Sequence, residues 1–76
     1  MEVKKMVDMF PVASTRITEM GYDQDTATVY VRFTDGASWC YMNVPGEVWQ
    51  QFASSSSKGR FIHETLDGYP NGPCGI

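Results

Sequence analysis

The sequence has one histidine, two cysteines and no apolar run near the roughly 18 residues that a membrane-spanning helix needs. Small secreted folds stapled by disulfides carry about four to eight cysteines, so Cys40 and Cys74 do not read as such a framework. Cys40 sits in an aromatic run and reads as a small apolar packing residue, and Cys74 reads as exposed in a Gly/Pro tail. No cysteine pair has metal spacing and His63 has no partner histidine, so the expectation is no metal and no cofactor. Basic residues are also scarce. Six Lys+Arg against nine Asp+Glu leave a net charge of -3. A protein that coats long nucleic acid must neutralise many phosphates, so that class is disfavoured. The first ten residues carry Glu2, Lys4, Lys5 and Asp8 and lack the apolar stretch of a signal peptide. A cytosolic protein is expected, with no membrane partner.

What is present is the composition of a folded domain. Of 76 residues, 42% are hydrophobic and 20% charged. The length allows one domain, and a domain this small leaves much of its surface in water. That favours self-association into a homo-oligomer, most simply a two-fold dimer. Val3, Met6, Val7 and Phe10 share one helical face, and Pro11 would end that helix. This segment, 1–11, reads either as a frayed or extended arm or as an arm that packs on another copy.

Residues 14–22 read as a strand, 23–26 as a turn, and 27–33 as the clearest strand in the chain. Thr34-Asp35-Gly36 is a hairpin signal, and residues 37–42 pair back. Two registers are open. A two-residue turn pairs Thr34 with Ala37 and puts Tyr30, Arg32, Trp39 and Tyr41 on one face. A three-residue loop with Gly36 left-handed pairs Phe33 with Ala37 and gathers Val29, Val31, Phe33, Ala37, Trp39 and Tyr41. The second makes the cleaner core and is the expected one.

Pro45 pre-sets a helix start, and residues 46–53 place Val48, Trp49 and Phe52 on one side. Residues 57–66 read as a second helix carrying Phe61, Ile62 and Leu66. The remainder, with two Pro and two Gly between Tyr69 and Ile76, reads as coil. The expected fold class is α+β: a three-stranded antiparallel meander followed by two short helices packed on one face. The domain spans residues 12–69, followed by a flexible tail, 70–76.

Taken in order, Val12-Ala13-Ser14, Gly21-Tyr22-Asp23, Phe33-Thr34-Asp35-Gly36, Trp39-Cys40-Tyr41, Val44-Pro45 and Ser57-Lys58-Gly59-Arg60-Phe61 resemble the KTSC family. These are short domains found at the C-terminal ends of some lysyl-tRNA synthetases and alone in bacteria and phages. Trp39 stands where the family has the first Tyr of a Y-x-Y. The synthetase context implies an RNA role by neighbourhood alone.

Chemistry-bearing residues are few. Ser57, Lys58, Gly59 and Arg60 could form an anion pocket at a helix start. Trp39 and Tyr41 offer ring faces on which a base could stack, as do Tyr22 and Tyr30. Arg32 is a further cation for the ligand; with Arg16 it could instead pair with Glu19 or Asp35. His63 has no nucleophile set beside it by motif, so no catalysis is expected. The resulting expectation is a non-enzymatic binding protein for a small anionic, nucleotide-like ligand. In a phage, such a protein would sequester a host signalling nucleotide. An RNA-contacting accessory domain and a protein-interaction module are the alternatives.

Overall fold

Thr28–Phe33 is rich in β-branched and aromatic residues, and it forms the central strand, β3, of a five-stranded antiparallel sheet. The computed structural model describes residues 8–75. Its strands are β1 (Phe10–Pro11), β2 (Ile17–Asp23), β3, β4 (Ser38–Tyr41) and β5 (Asn71–Pro73), ordered in space as in sequence. Between β4 and β5 lie helix α1 (Gly46–Ser54), helix α2 (Lys58–Glu64) and a 3-10 turn, Leu66–Gly68.

The β3–β4 register pairs Val31 with Trp39 and Arg32 with Ser38. Phe33 N–H donates to the Ala37 carbonyl at 2.8 Å, and Gly36 sits at φ 93°. This is the three-residue loop, in which only a residue without Cβ is unstrained. Val29, Val31, Phe33, Trp39 and Tyr41 therefore share the face that the helices cover. Tyr30, Arg32, Ser38 and Cys40 occupy the other.

β2 obeys alternation only in part. Ile17 pairs with Phe33 and Glu19 with Arg32, so Thr18 is an extra residue in a bulge. The bulge turns Ile17 onto the same face as Met20, three positions on. Both are buried. At the far end, the Asp23 carboxylate accepts the Asp25 N–H at 3.0 Å and shapes the turn. Ala27 takes φ 54°, which aims its carbonyl at the Val44 N–H, 2.8 Å away.

The helices supply the second layer. Phe52, Ile62 and Leu66 are buried against Ile17, Val29, Val31, Tyr41 and Val44, with Val48, Trp49 and Phe61 packed at the rim. Tyr22 and Trp49 stack at 5.4 Å between centroids, 8° from parallel, and the Tyr22 hydroxyl donates to the Val44 carbonyl at 2.7 Å. Tyr22 is thereby committed to joining the sheet to α1.

The edges depart from the expected three strands. Phe10, placed by periodicity on a helical face, and Pro11, expected to end that helix, pair with Met20 and Glu19 as β1. Val3, Met6 and Val7 lie outside the described residues. At the other edge, the expected flexible coil is an ordered strand, with Asn71 opposite Tyr41 and Pro73 opposite Trp39. It is held by a disulfide between Cys40 and Cys74, whose Cα atoms are 5.8 Å apart. Neither cysteine is the free residue that the sequence suggested. β4 lies beside β5 although Cys40 and Cys74 are separated by 34 positions in sequence, a proximity no local pattern encodes.

Candidate functional site

The chain enters β2 through a short turn built on Ser14. The Ser14 hydroxyl accepts the N–H groups of Arg16 at 3.1 Å and Ile17 at 3.4 Å. The Arg16 carbonyl accepts the Thr34 N–H at 3.0 Å. The backbone of Arg16 is thus fixed on both sides, just before the sheet. Its side chain then runs across α2 at Gly59. A Cβ built on Gly59 would lie 2.7 Å from Cγ of Arg16, closer than carbon atoms approach.

Two open clefts meet at Arg16. The first, about 510 Å³, is lined by Ser14, Thr15, Ser55, Ser56 and Ser57 together with Arg16, Lys58, Gly59 and Arg60. Five hydroxyls and three of the chain's six Lys+Arg face one space, and among the described residues no carboxylate lines it. The second, about 370 Å³, has Phe33, Ala37, Trp39, Tyr41 and Ile62 as its apolar wall. Arg16, Asp35, Asp67 and Asn71 are its polar groups.

The three cations of the first cleft differ in what else holds them. The Lys58 ammonium donates to the carbonyls of Ala53 and Ser55 and so closes the end of α1. Arg60 points into water, bonded to Glu64 at 3.0 Å one helical turn on, and that carboxylate raises its pKa above the ordinary value. Among the described residues, no carboxylate lies within ion-pair distance of Arg16. Helix α2 is seven residues long, and its Ser57 makes no side-chain capping bond. The expected pocket at a helix start is therefore a cleft between a loop, a turn and a helix, and its polarity comes from side chains.

Ser57, Lys58, Gly59 and Arg60 are brought together as the sequence implied, and Trp39 and Tyr41 border the adjoining space. Tyr41, however, is a core residue, only 2% exposed, and offers little ring face. Its hydroxyl pKa is pushed up to about 12 by burial and by the Asp67 carboxylate, against a smaller opposing pull from Arg16. Trp39 is half-buried, its indole N–H donating to Asn71 Oδ1 at 3.0 Å. Arg32 is not part of either cleft. It lies on the opposite face of the sheet, paired with Glu19 at 3.0 Å, as one of the sequence alternatives had it. His63 is exposed, 3.7 Å from Asp67. Arg16 is the residue that sequence reasoning passed over. Its signal was faint: a lone arginine two positions after a Val-Ala-Ser, with its glycine seat 43 positions downstream.

The fold and the order of these elements match known proteins. A KTSC domain model matches residues 13–69. A protein of Tsukamurella paurometabola is 40% identical over 55 residues, covering 72% of this chain and 82% of that protein. The crystal structure of a KTSC domain protein from Yersinia pestis superposes with a TM-score of 0.86 at 32% identity, over 92% of this chain and all of that one. With the V-P turn, the Gly36 hairpin and the Ser-Lys-Gly-Arg-Phe segment in place on a matching fold, this chain belongs to the KTSC domain family.

Proposed function

We propose that the protein is a non-enzymatic binding protein for a small anionic ligand that carries a planar ring, as a nucleotide does. One observation carries this reading: Arg16 lines both the hydroxyl-and-cation cleft and the aromatic cleft, so a single ligand can reach both. Hydroxyls and a guanidinium suit phosphate oxygens, while Trp39 and Phe33 suit a flat apolar ring. Three of the six Lys+Arg of an acidic chain line one cleft, which suits a ligand with few phosphates better than a polymer. Sequestration is the role such a body would serve, and a signalling nucleotide of a phage host is the corresponding ligand.

Calorimetry with mono-, di- and cyclic nucleotides tests this, alongside single-stranded RNA at two salt concentrations. Saturable heat with a small nucleotide is the expected result. Silence with every nucleotide, together with RNA binding that falls steeply with salt, would instead establish the RNA-contacting reading. Silence in both would leave the protein-interaction module. A homo-oligomer is part of the proposal, and light scattering is expected to give a multiple of 8.5 kDa. Cytosolic placement is likewise proposed. Disulfides persist mainly in oxidising compartments, so alkylation of Cys40 and Cys74 at the moment of cell lysis decides it.

A further inference from the structure

We propose that Arg16 is the residue that grips the ligand's anionic group, and that Gly59 is its seat. This rests on the binding reading above and assigns it to a particular side chain. The ligand class it implies is a phosphomonoester whose phosphate lies among Ser14, Ser55 and Ser57 and whose ring lies toward Trp39.

Three observations converge on Arg16. Among the cations of the first cleft, Lys58 is engaged by backbone carbonyls and Arg60 by Glu64, whereas Arg16 has no ion-pair partner among the described residues. Its backbone is pinned by Ser14 and Thr34, so the side chain leaves the sheet in a set direction. Its alkyl stem then lies on the bare backbone of Gly59, where any Cβ would collide with Cγ at 2.7 Å and crowd Cβ at 3.3 Å. A planar guanidinium at the junction of the two clefts can present two parallel N–H groups to a phosphate, a geometry lysine cannot offer. The seat removes freedom from a long side chain before any ligand arrives, which lowers the entropic cost of binding.

The test uses the full chain, isotope-labelled, titrated by NMR with inorganic phosphate and separately with adenosine and guanosine 5′-monophosphates. Phosphate is expected to shift the amides of Ser14–Arg16 and Ser55–Gly59, and a nucleotide to shift the Trp39 indole N–H as well. Arg16→Gln, which keeps much of the stem, should weaken phosphate binding about tenfold or more, the scale of a lost charge-assisted bond, with the thermal midpoint unchanged. Arg16→Lys should fall between. Gly59→Ala should weaken binding by displacing the stem; where that variant fails to fold, Arg16→Gln alone decides. Arg32→Gln, on the other face of the sheet, should bind as wild type. Wild-type affinity in Arg16→Gln overturns the assignment to Arg16 and leaves the binding reading standing. No shift in the wild type with any of the three probes overturns both.

Discussion

Cys40 and Cys74 are bonded diagonally across neighbouring strands. The register partner of Cys40 is Gly72, and Cys74 lies two residues further along, where its N–H reaches the Ser38 carbonyl at 3.2 Å. The bond closes a loop with a sequence separation of 34. Constraining the unfolded chain by a loop of that size stabilises the fold by about 3–4 kcal/mol in the chain-entropy model. Cys40→Ala/Cys74→Ala, or wild type in reductant, is therefore expected to unfold at markedly lower urea than the oxidised protein. Equal midpoints would mean that β5 is held by its backbone pairing alone.

Reduction should also be felt on the other face of the sheet. β5 carries Asn71, whose side chain holds the Trp39 indole N–H. Loosening the strand frees that group, so the Trp39 indole signal should broaden or move in the reduced protein. The Trp49 signal, held against Tyr22 and Phe52 by α1, should stay in place.

Alkali should destabilise the protein through Tyr41. Its folded pKa of about 12 lies above the ordinary phenol value of 10.0 because burial and Asp67 disfavour the phenolate. A raised folded pKa means that the folded state keeps a proton the unfolded chain gives up. The stabilising contribution is complete below pH 10 and is lost as the pH rises toward 12. Ultraviolet titration should show one of the four tyrosines ionising last, together with unfolding. Tyr41→Phe should remove that component of the alkaline loss.

Two substitutions separate core from loop. Phe52 is fully buried between the helices and the sheet, so Phe52→Ala should cost about 3–5 kcal/mol. For a domain of this size that is a large part of the total, and urea melts of the reduced variant should show little folded protein. Gly36→Ala meets no steric neighbour but forces a side chain to φ 93°. It should cost about 1–2 kcal/mol by the same measurement, with Gly36→Asn closer to wild type.

The centre of this fold is legible in the sequence, and its margins are not. The β3–β4 register follows from one glycine and an alternation of Val29, Val31 and Phe33, because a slip by one residue would expose all three. Phe52 and Ile62 mark the covering helices by spacing, whereas Leu66, expected in the second helix, is buried from the 3-10 turn that follows it. β1 and β5 are two and three residues long, each with a proline, and such segments carry no periodic signal. The bulge at Thr18 breaks the alternation that would have identified Ile17 as core. The disulfide and the Arg16–Gly59 contact each join distant parts of the chain, so only the folded sheet reveals them. Within the candidate site, Ser57 to Arg60 were found because they are contiguous. Arg32 was misplaced with them because charge alone does not say which sheet face a side chain takes.

The prolines at the two rims of the sheet bear on how copies of this chain could meet. Val12 N–H bonds inward to Thr18, so Pro11 has its nitrogen turned outward. Cys74 N–H bonds inward to Ser38, so Pro73 is outward at the opposite rim. At each border of the sheet formed by the described residues, one outward position therefore lacks a donor for an incoming strand. Continuous sheet extension from molecule to molecule, the route to fibrous aggregates, is blunted on both sides. An assembly built face to face from side chains meets no such obstacle.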